Sequence, residues 1–189
     1  MSVLIPNRKG IVAAAFAIVM NSIPLSAQTP DLQDESALLS ALVEADEAEA
    51  RKLARQLQRL WSMSGSASMD LLLERGQDAL EAEDYASAVD HLTALTDHAP
   101  DFAEGWSARA SAFYQLERYG LALADLERAL ALNPNNYTAI FGLGAILETL
   151  GDSKRAYEAY RRAKAIHPHF EDVTKAMDRL RSEVEGKTL

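Results

Sequence analysis

Three prolines, Pro100, Pro134 and Pro168, stand 34 residues apart. A chain that returns to the same residue at a fixed step must build the same local structure at each return. Other positions keep the step. Ala88, Ala122 and Ala156 form one series of small residues, and Gly76, Ala110 and Gly144 another. Bulky positions follow it too: Leu72, Trp106 and Ile140; Leu92, Leu126 and Tyr160; while Leu95 gives way to Ala129 and Ala163. Small residues facing bulky ones at a fixed interval are what two closely approaching helices need, three times over.

The local pattern predicts two helices per unit. In the first unit Leu72, Leu73, Gly76, Ala79 and Leu80 fall at three-and-four spacing, with Asp70 placed to cap or charge the helix start. Asp84 opens a second helix, whose stripe is Tyr85, Ala88, Val89, Leu92 and Leu95. It must stop before Pro100, because proline disfavours helical geometry at the residue preceding it. Asn133-Pro134-Asn135 and His167-Pro168-His169 close the next two units as surface turns.

The middle unit carries a resemblance. Trp106, Ala110, Phe113, Tyr119, Ala122, Leu126, Ala129 and Pro134 are similar to the signature of the tetratricopeptide repeat (TPR) family. Arg109 and Arg75 stand where that family usually has leucine, whereas Leu143 conforms. The two arginines are expected to lay their stems on the helix pair and keep their heads in water. The resemblance covers roughly 100 residues and implies an all-α fold, an α-solenoid of three TPR helix pairs, as in small exported bacterial TPR proteins.

The repeats are expected at 69–102, 103–136 and 137–169, with a C-terminal capping helix at 170–185 that carries Phe170, Val173, Ala176, Met177, Leu180 and Val184 at helical spacing. Upstream, 35–62 holds Leu38, Leu39, Leu42, Leu53, Leu57, Leu60 and Trp61, read as a degenerate N-terminal helix pair. A Ser/Gly linker at 63–68 follows it, and 28–34 is expected to be a mobile tail.

Residues 1–27 read as a secretory signal peptide: Arg8 and Lys9, the apolar run Gly10 to Met20, then Leu25-Ser26-Ala27 before the expected cleavage. The run is too short to span a bilayer and Pro24 breaks its continuation, so retention as an anchor is the weaker alternative. Export, with the periplasm as the compartment, follows. The chain has no cysteine, so packing alone must stabilise it. Loss of Arg8 and Lys9 moves the formal charge from −9 to −11, which disfavours nucleic acid and, on average, anionic membranes. A local basic patch remains open to the one dense basic run, Arg51, Lys52, Arg55 and Arg59.

No catalytic motif assembles. Gly142-Leu143-Gly144 lacks the preceding strand and the following Lys-Ser or Lys-Thr of a phosphate loop. His167 and His169 have no third ligand at a recognisable spacing, and His91 and His98 lie too far apart for a one-turn chelate. The chain is expected to be no enzyme and to need no cofactor or metal.

The resemblance implies that the first helix of each repeat faces a concave groove. The positions carried over are Asp70, Leu73, Gln77, Leu80 and Glu81; Glu104, Ser107, Ser111, Tyr114 and Gln115; Thr138, Phe141, Ala145, Glu148 and Thr149. They lack the lysine, asparagine and arginine set that clamps a C-terminal carboxylate. An apolar polypeptide segment with a basic flank suits them better. The function expected is a non-catalytic protein-interaction scaffold in the cell envelope. Its alternatives are self-association through 36–61, or service as an accessory subunit of an envelope enzyme. Packing of Leu73, Leu80 and Phe141 against neighbouring helices is the competing reading of the apolar positions.

Overall fold

The computed structural model describes residues 35–186, all of whose regular structure is helical. The expected signal peptide and tail, and residues 187–189, lie outside the described residues. The element order is α1 (Glu35–Glu44), α2 (Glu47–Trp61), α3 (Ala67–Glu81), α4 (Tyr85–His98), α5 (Ala103–Gln115), α6 (Tyr119–Leu132), α7 (Tyr137–Thr149), α8 (Ser153–Ile166) and α9 (Glu171–Glu185). Helices α3 to α8 are the three repeated pairs, and no described helix is long and apolar enough to cross a membrane.

Within each pair the two helices approach through the small residues. A Cβ at Gly76 would lie 2.5 Å from Leu92 Cγ, and one at Gly144 would lie 2.6 Å from Tyr160 Cδ1. Ala88, Ala122 and Ala156 are completely buried on the facing helices. The turn inside each pair also keeps the step. Glu83, Glu117 and Gly151 have φ of 59°, 57° and 79°, and the next amide reaches back to a carbonyl five residues earlier: Asp84 to Ala79, Arg118 to Phe113, Asp152 to Leu147. That left-handed residue lets the first helix end without leaving carbonyls unpaired. Successive repeats are also fastened by arginine, with Arg128 donating to the Pro100 carbonyl at 3.1 Å and Arg162 to that of Pro134 at 2.6 Å.

Side chains start the second helices where the sequence provides acceptors. Asp84 accepts from the Ser87 amide and Asp152 from that of Arg155. Asp70 does something else: its carboxylate accepts from the Ser64 amide and hydroxyl at 2.8 and 2.5 Å, tying the linker down rather than capping α3. Arg109 departs further from expectation. Its guanidinium forms a two-point ion pair with Asp125, bonds Thr96, and lies 4.9 Å over Trp106; the pair's side chains are only 13% and 7% exposed. A buried anion on α6 draws the head inward, out of water. Arg75 has no such anion and stays exposed.

The N-terminal pair forms as expected but sits elsewhere than a preceding repeat would. Leu38, Leu42, Ala50, Leu57 and Trp61 share a core with Tyr137, Ile140 and Tyr160 of the third pair and with Val173, Ala176 and Leu180 of α9. The exposed surface of α3 offers Glu74, Arg75 and Asp78 beside a single exposed leucine, Leu71, a poor seat for a row of leucines. The end of the third repeat offers a cluster of rings instead. Trp61 lies 5.5 Å from Tyr137, which meets His167 at 5.0 Å and Phe170 at 5.6 Å, and His169 Nε2 is 3.0 Å from the Ala45 carbonyl oxygen. The expected surface turn at His167 is therefore a buried one, because the helix pair covers it.

Candidate functional site

The expected groove positions separate into two groups. In the first repeat Leu73 is 2% exposed and belongs to a core with Ala88, Leu92 and Leu95, against which Leu80 also packs. Asp70 is committed to the linker, Gln77 is half-buried, and Glu81 is exposed. Glu104, at the start of α5, is 7% exposed and accepts from Gln58 Nε2 at 3.0 Å and Asn136 Nδ2 at 3.2 Å. Burial pushes its carboxyl above the usual range, against the pull of the two amides.

The second group comes together. Ser107, Ser111, Tyr114 and Gln115 from α5, with Thr138, Phe141 and Ala145 from α7, line a cavity of about 230 Å³ between the first helices of repeats two and three. Its floor is apolar, from Ala110, Leu126, Ala139 and Ile146. The small residues that permit close helix approach also leave this opening: at Gly142 the nearest side-chain atom to an added Cβ is Leu126 Cδ1 at 3.7 Å. Hydroxyls rim it, and the Tyr114 hydroxyl lies 3.4 Å from Thr149 Oγ1.

Tyr114, Phe141 and Ala145 continue into a second opening of about 390 Å³, lined also by Glu148, Thr149, Tyr160 and Arg179. Here Arg179 of α9 donates to both oxygens of Glu148 at 2.7 and 2.9 Å, and the Tyr160 hydroxyl donates to Glu148 at 2.8 Å. The Arg179 hydrogen bond, with the Tyr160 one behind it, holds the Glu148 carboxyl below the usual range, while burial and that carboxylate push the Tyr160 phenol up. Of the acidic groove expected from the sequence, Glu148 is thus neutralised and Glu104 enclosed.

Arg179 is the functional candidate that motif reading passed over. The signal was present: the series Gln77, Ser111 and Ala145 at the ninth repeat position, carried one 34-residue step further, lands on Arg179. Reading α9 only as a cap hid it. Gln58 had no such signal, since α2 is off the period.

A larger cavity of about 1010 Å³ opens among α6, α7 and α8. Its lining carries three arginines, Arg155, Arg161 and Arg162, against three acids, Glu127, Asp152 and Glu158, with Arg155 paired to Asp152 and Arg161 to Glu158, so it presents no net charge to a ligand. Among the described residues no group of three or more His, Asp or Glu is placed to hold a metal.

Comparison with known proteins adds to this geometry. The family profile of the tetratricopeptide repeat matches residues 73–135 and 107–169. A TPR repeat-containing protein of Rhizobium etli is 28% identical over 143 residues, covering 76% of this chain and 70% of its own length. The human Protein SGT1 homolog is 36% identical over 81 residues, 43% of this chain but 22% of its own. Among solved structures, the first TPR of Spaghetti (RPAP3), bound to the HSP90 peptide SRMEEVD, superposes with a TM-score of 0.61 at 25% identity, over 64% of this chain and 95% of that one.

Proposed function

The chain belongs to the tetratricopeptide repeat family, and from that premise we propose that it is a non-catalytic adaptor holding a polypeptide segment between α5 and α7. One observation carries the reading: Ser107, Ser111, Tyr114, Thr138 and Phe141, drawn from two repeats, line one opening with an apolar floor. An apolar side chain of the partner fits that floor, and the hydroxyl rim suits the main chain beside it. The RPAP3 domain holds a peptide on the same fold, which supports a polypeptide as the ligand class. A basic flank on the partner would be drawn to the end of the groove at Glu81, since Glu148 already faces Arg179. Export to the periplasm completes the proposal and rests on the residue order in 1–27.

Self-association through 36–61 is the weaker reading, because Leu38, Leu42, Leu57 and Trp61 are spent in the chain's own core. Affinity capture from the native source, repeated with variants, tests the adaptor. Tyr114→Ala with Phe141→Ala should release the captured polypeptide. Because Phe141 also packs on Phe170 at 5.2 Å, Ser111→Arg, an exposed change at the mouth, serves as the variant that leaves the core alone. Partners retained by both variants would overturn the groove.

A further inference from the structure

Helix α2 carries an unusual charge distribution for so acidic a chain. It buries Ala50, Leu57 and Trp61, while Lys52, Arg55 and Arg59 are exposed. At about 100° per residue these three cations fall within an arc of roughly 60°, centred on the side of the helix opposite the buried stripe. The helix's acids, Glu47 and Glu49, sit in its first turn, so beyond them every charged residue of α2 is a cation. Arg51 on the flank is paired with Glu47. The neighbouring α1 adds exposed Ala37, Ser40, Ala41 and Val43, and its acids near the stripe are confined to its end, at Glu44 and at Asp46 just beyond it.

Clustering makes the stripe stand out. The other described cations without an ion pair, Arg75, Arg118, Lys154, Arg162 and Lys164, do not share one narrow helix face, and Arg162 and Lys164 are bonded to the Pro134 carbonyl and the Thr174 hydroxyl. Arg109, Arg128, Arg155, Arg161, Lys175, Arg179 and Arg181 each have a carboxylate partner. Lys52, Arg55 and Arg59 form no ion pair with a described residue, although the chain's formal charge is −9. Three cations in a row on a helix whose other face is fixed in the core form a shallow, charge-dense surface without a cleft. Such a surface reads charge density rather than shape, and that is how basic segments recognise acidic headgroups.

We infer that the outer face of α2 docks peripherally on a bilayer of anionic phospholipids through Lys52, Arg55 and Arg59. The face is separate from the opening between α5 and α7, so one contact leaves the other free. At moderate salt screening largely removes the repulsion from acids more than about 8–10 Å from the surface, so the net negative charge of the rest of the chain opposes the contact only through acids closer than that.

Vesicle co-sedimentation of the full chain tests the inference, comparing vesicles with about 30% phosphatidylglycerol against wholly zwitterionic ones. The zwitterionic arm subtracts binding due to the apolar run Gly10 to Met20, and Arg8 and Lys9 are common to every variant. The preference for anionic vesicles should fall about tenfold or more in K52E/R55E/R59E and at about 0.5 M salt, and survive in R55K/R59K. The changes are on exposed positions, and circular dichroism confirms that the helices remain. An anionic preference unchanged by the triple reversal overturns the inference. So does a chain that ignores lipid composition but binds polyglutamate through the stripe, which would assign the face to an acidic protein.

Discussion

The side-chain amide of Gln58 on α2 donates to the carboxylate of Glu104 on α5 at 3.0 Å, across 46 residues of sequence. With Asn136 completing the site from the start of α7, a carboxylate is enclosed by two neutral amides, and the burial that raises its pKa outweighs their pull. The sign for stability follows. A carboxyl raised on folding binds its proton more tightly in the folded chain, so its contribution is present at low pH and lost as pH rises through the folded value. Glu104→Gln should therefore gain on the wild type towards neutral pH and lose that advantage on acidification. Asn136 Oδ1 is already held by the Ala139 amide and the Thr138 hydroxyl, so Gln58 is the amide that must turn to accept from the new side chain. Urea unfolding of both proteins from pH 7 to pH 5 measures the difference, in which the carboxyls held low, Glu148 and Asp152, cancel. A difference independent of pH would remove Glu104 from the titration.

Arg109 and Asp125 form the buried ion pair between α5 and α6. Arg109→Met leaves an enclosed carboxylate without its cation and should cost about 3 kcal/mol or more. Adding Asp125→Leu removes that charge as well, and the double variant should recover to within about 1 kcal/mol of wild type. Denaturant midpoints of the two single variants and the double one close the cycle. A double variant as unstable as the sum of the singles would show that the guanidinium's stacking on Trp106, not the pair, holds the helices.

The 34-residue step made the helix pairs, their small-residue contacts and their closing prolines legible, because each depends on contacts within a repeat or with its neighbour. The groove between α5 and α7 was legible for the same reason: Ser111 and Phe141 occupy repeat positions whose direction the family sets. What stayed hidden depends on contacts across long sequence separations. Nothing near Leu38 or Trp61 says that their partner is Tyr137 rather than α3, and nothing near Arg109 says that Asp125 is enclosed with it. Leu73 reads as a groove residue by position, yet its neighbours Leu92 and Leu95 claim it for the core.

Glu83 and Glu117 hold the left-handed turn that Gly151 holds in the third repeat. Side chains disfavour that conformation by roughly 1–2 kcal/mol, and glycine adopts it freely. Glu83→Gly and Glu117→Gly should each raise stability by about 0.5–1 kcal/mol, or roughly 1–4 °C in Tm for a chain of this size, and the gains should add because the two turns share no partner. Gly151→Ala should lower Tm by a similar amount. Calorimetry on the four proteins decides it. Loss of stability in either glutamate variant would mean that the glutamate side chain supports its turn.

Gly144 and Gly120 make opposite predictions for one substitution. A Cβ at Gly144 would fall on the ring of Tyr160, which is 1% exposed and fixed by its hydroxyl to Glu148, so the ring cannot swing aside cheaply. Gly144→Ala should cost about 1–3 kcal/mol. At Gly120, in α6, nothing lies within 4 Å of the added atom, and alanine should gain up to about 1 kcal/mol through helix propensity. The Gly144 change reaches the groove as well, because Tyr160 packs 5.4 Å from Phe141 and both line the opening beside Arg179. Partner capture should weaken in Gly144→Ala even at a temperature where it is fully folded, and stay unchanged in Gly120→Ala. Equal capture by the two folded variants would separate the Tyr160 contact from the binding surface.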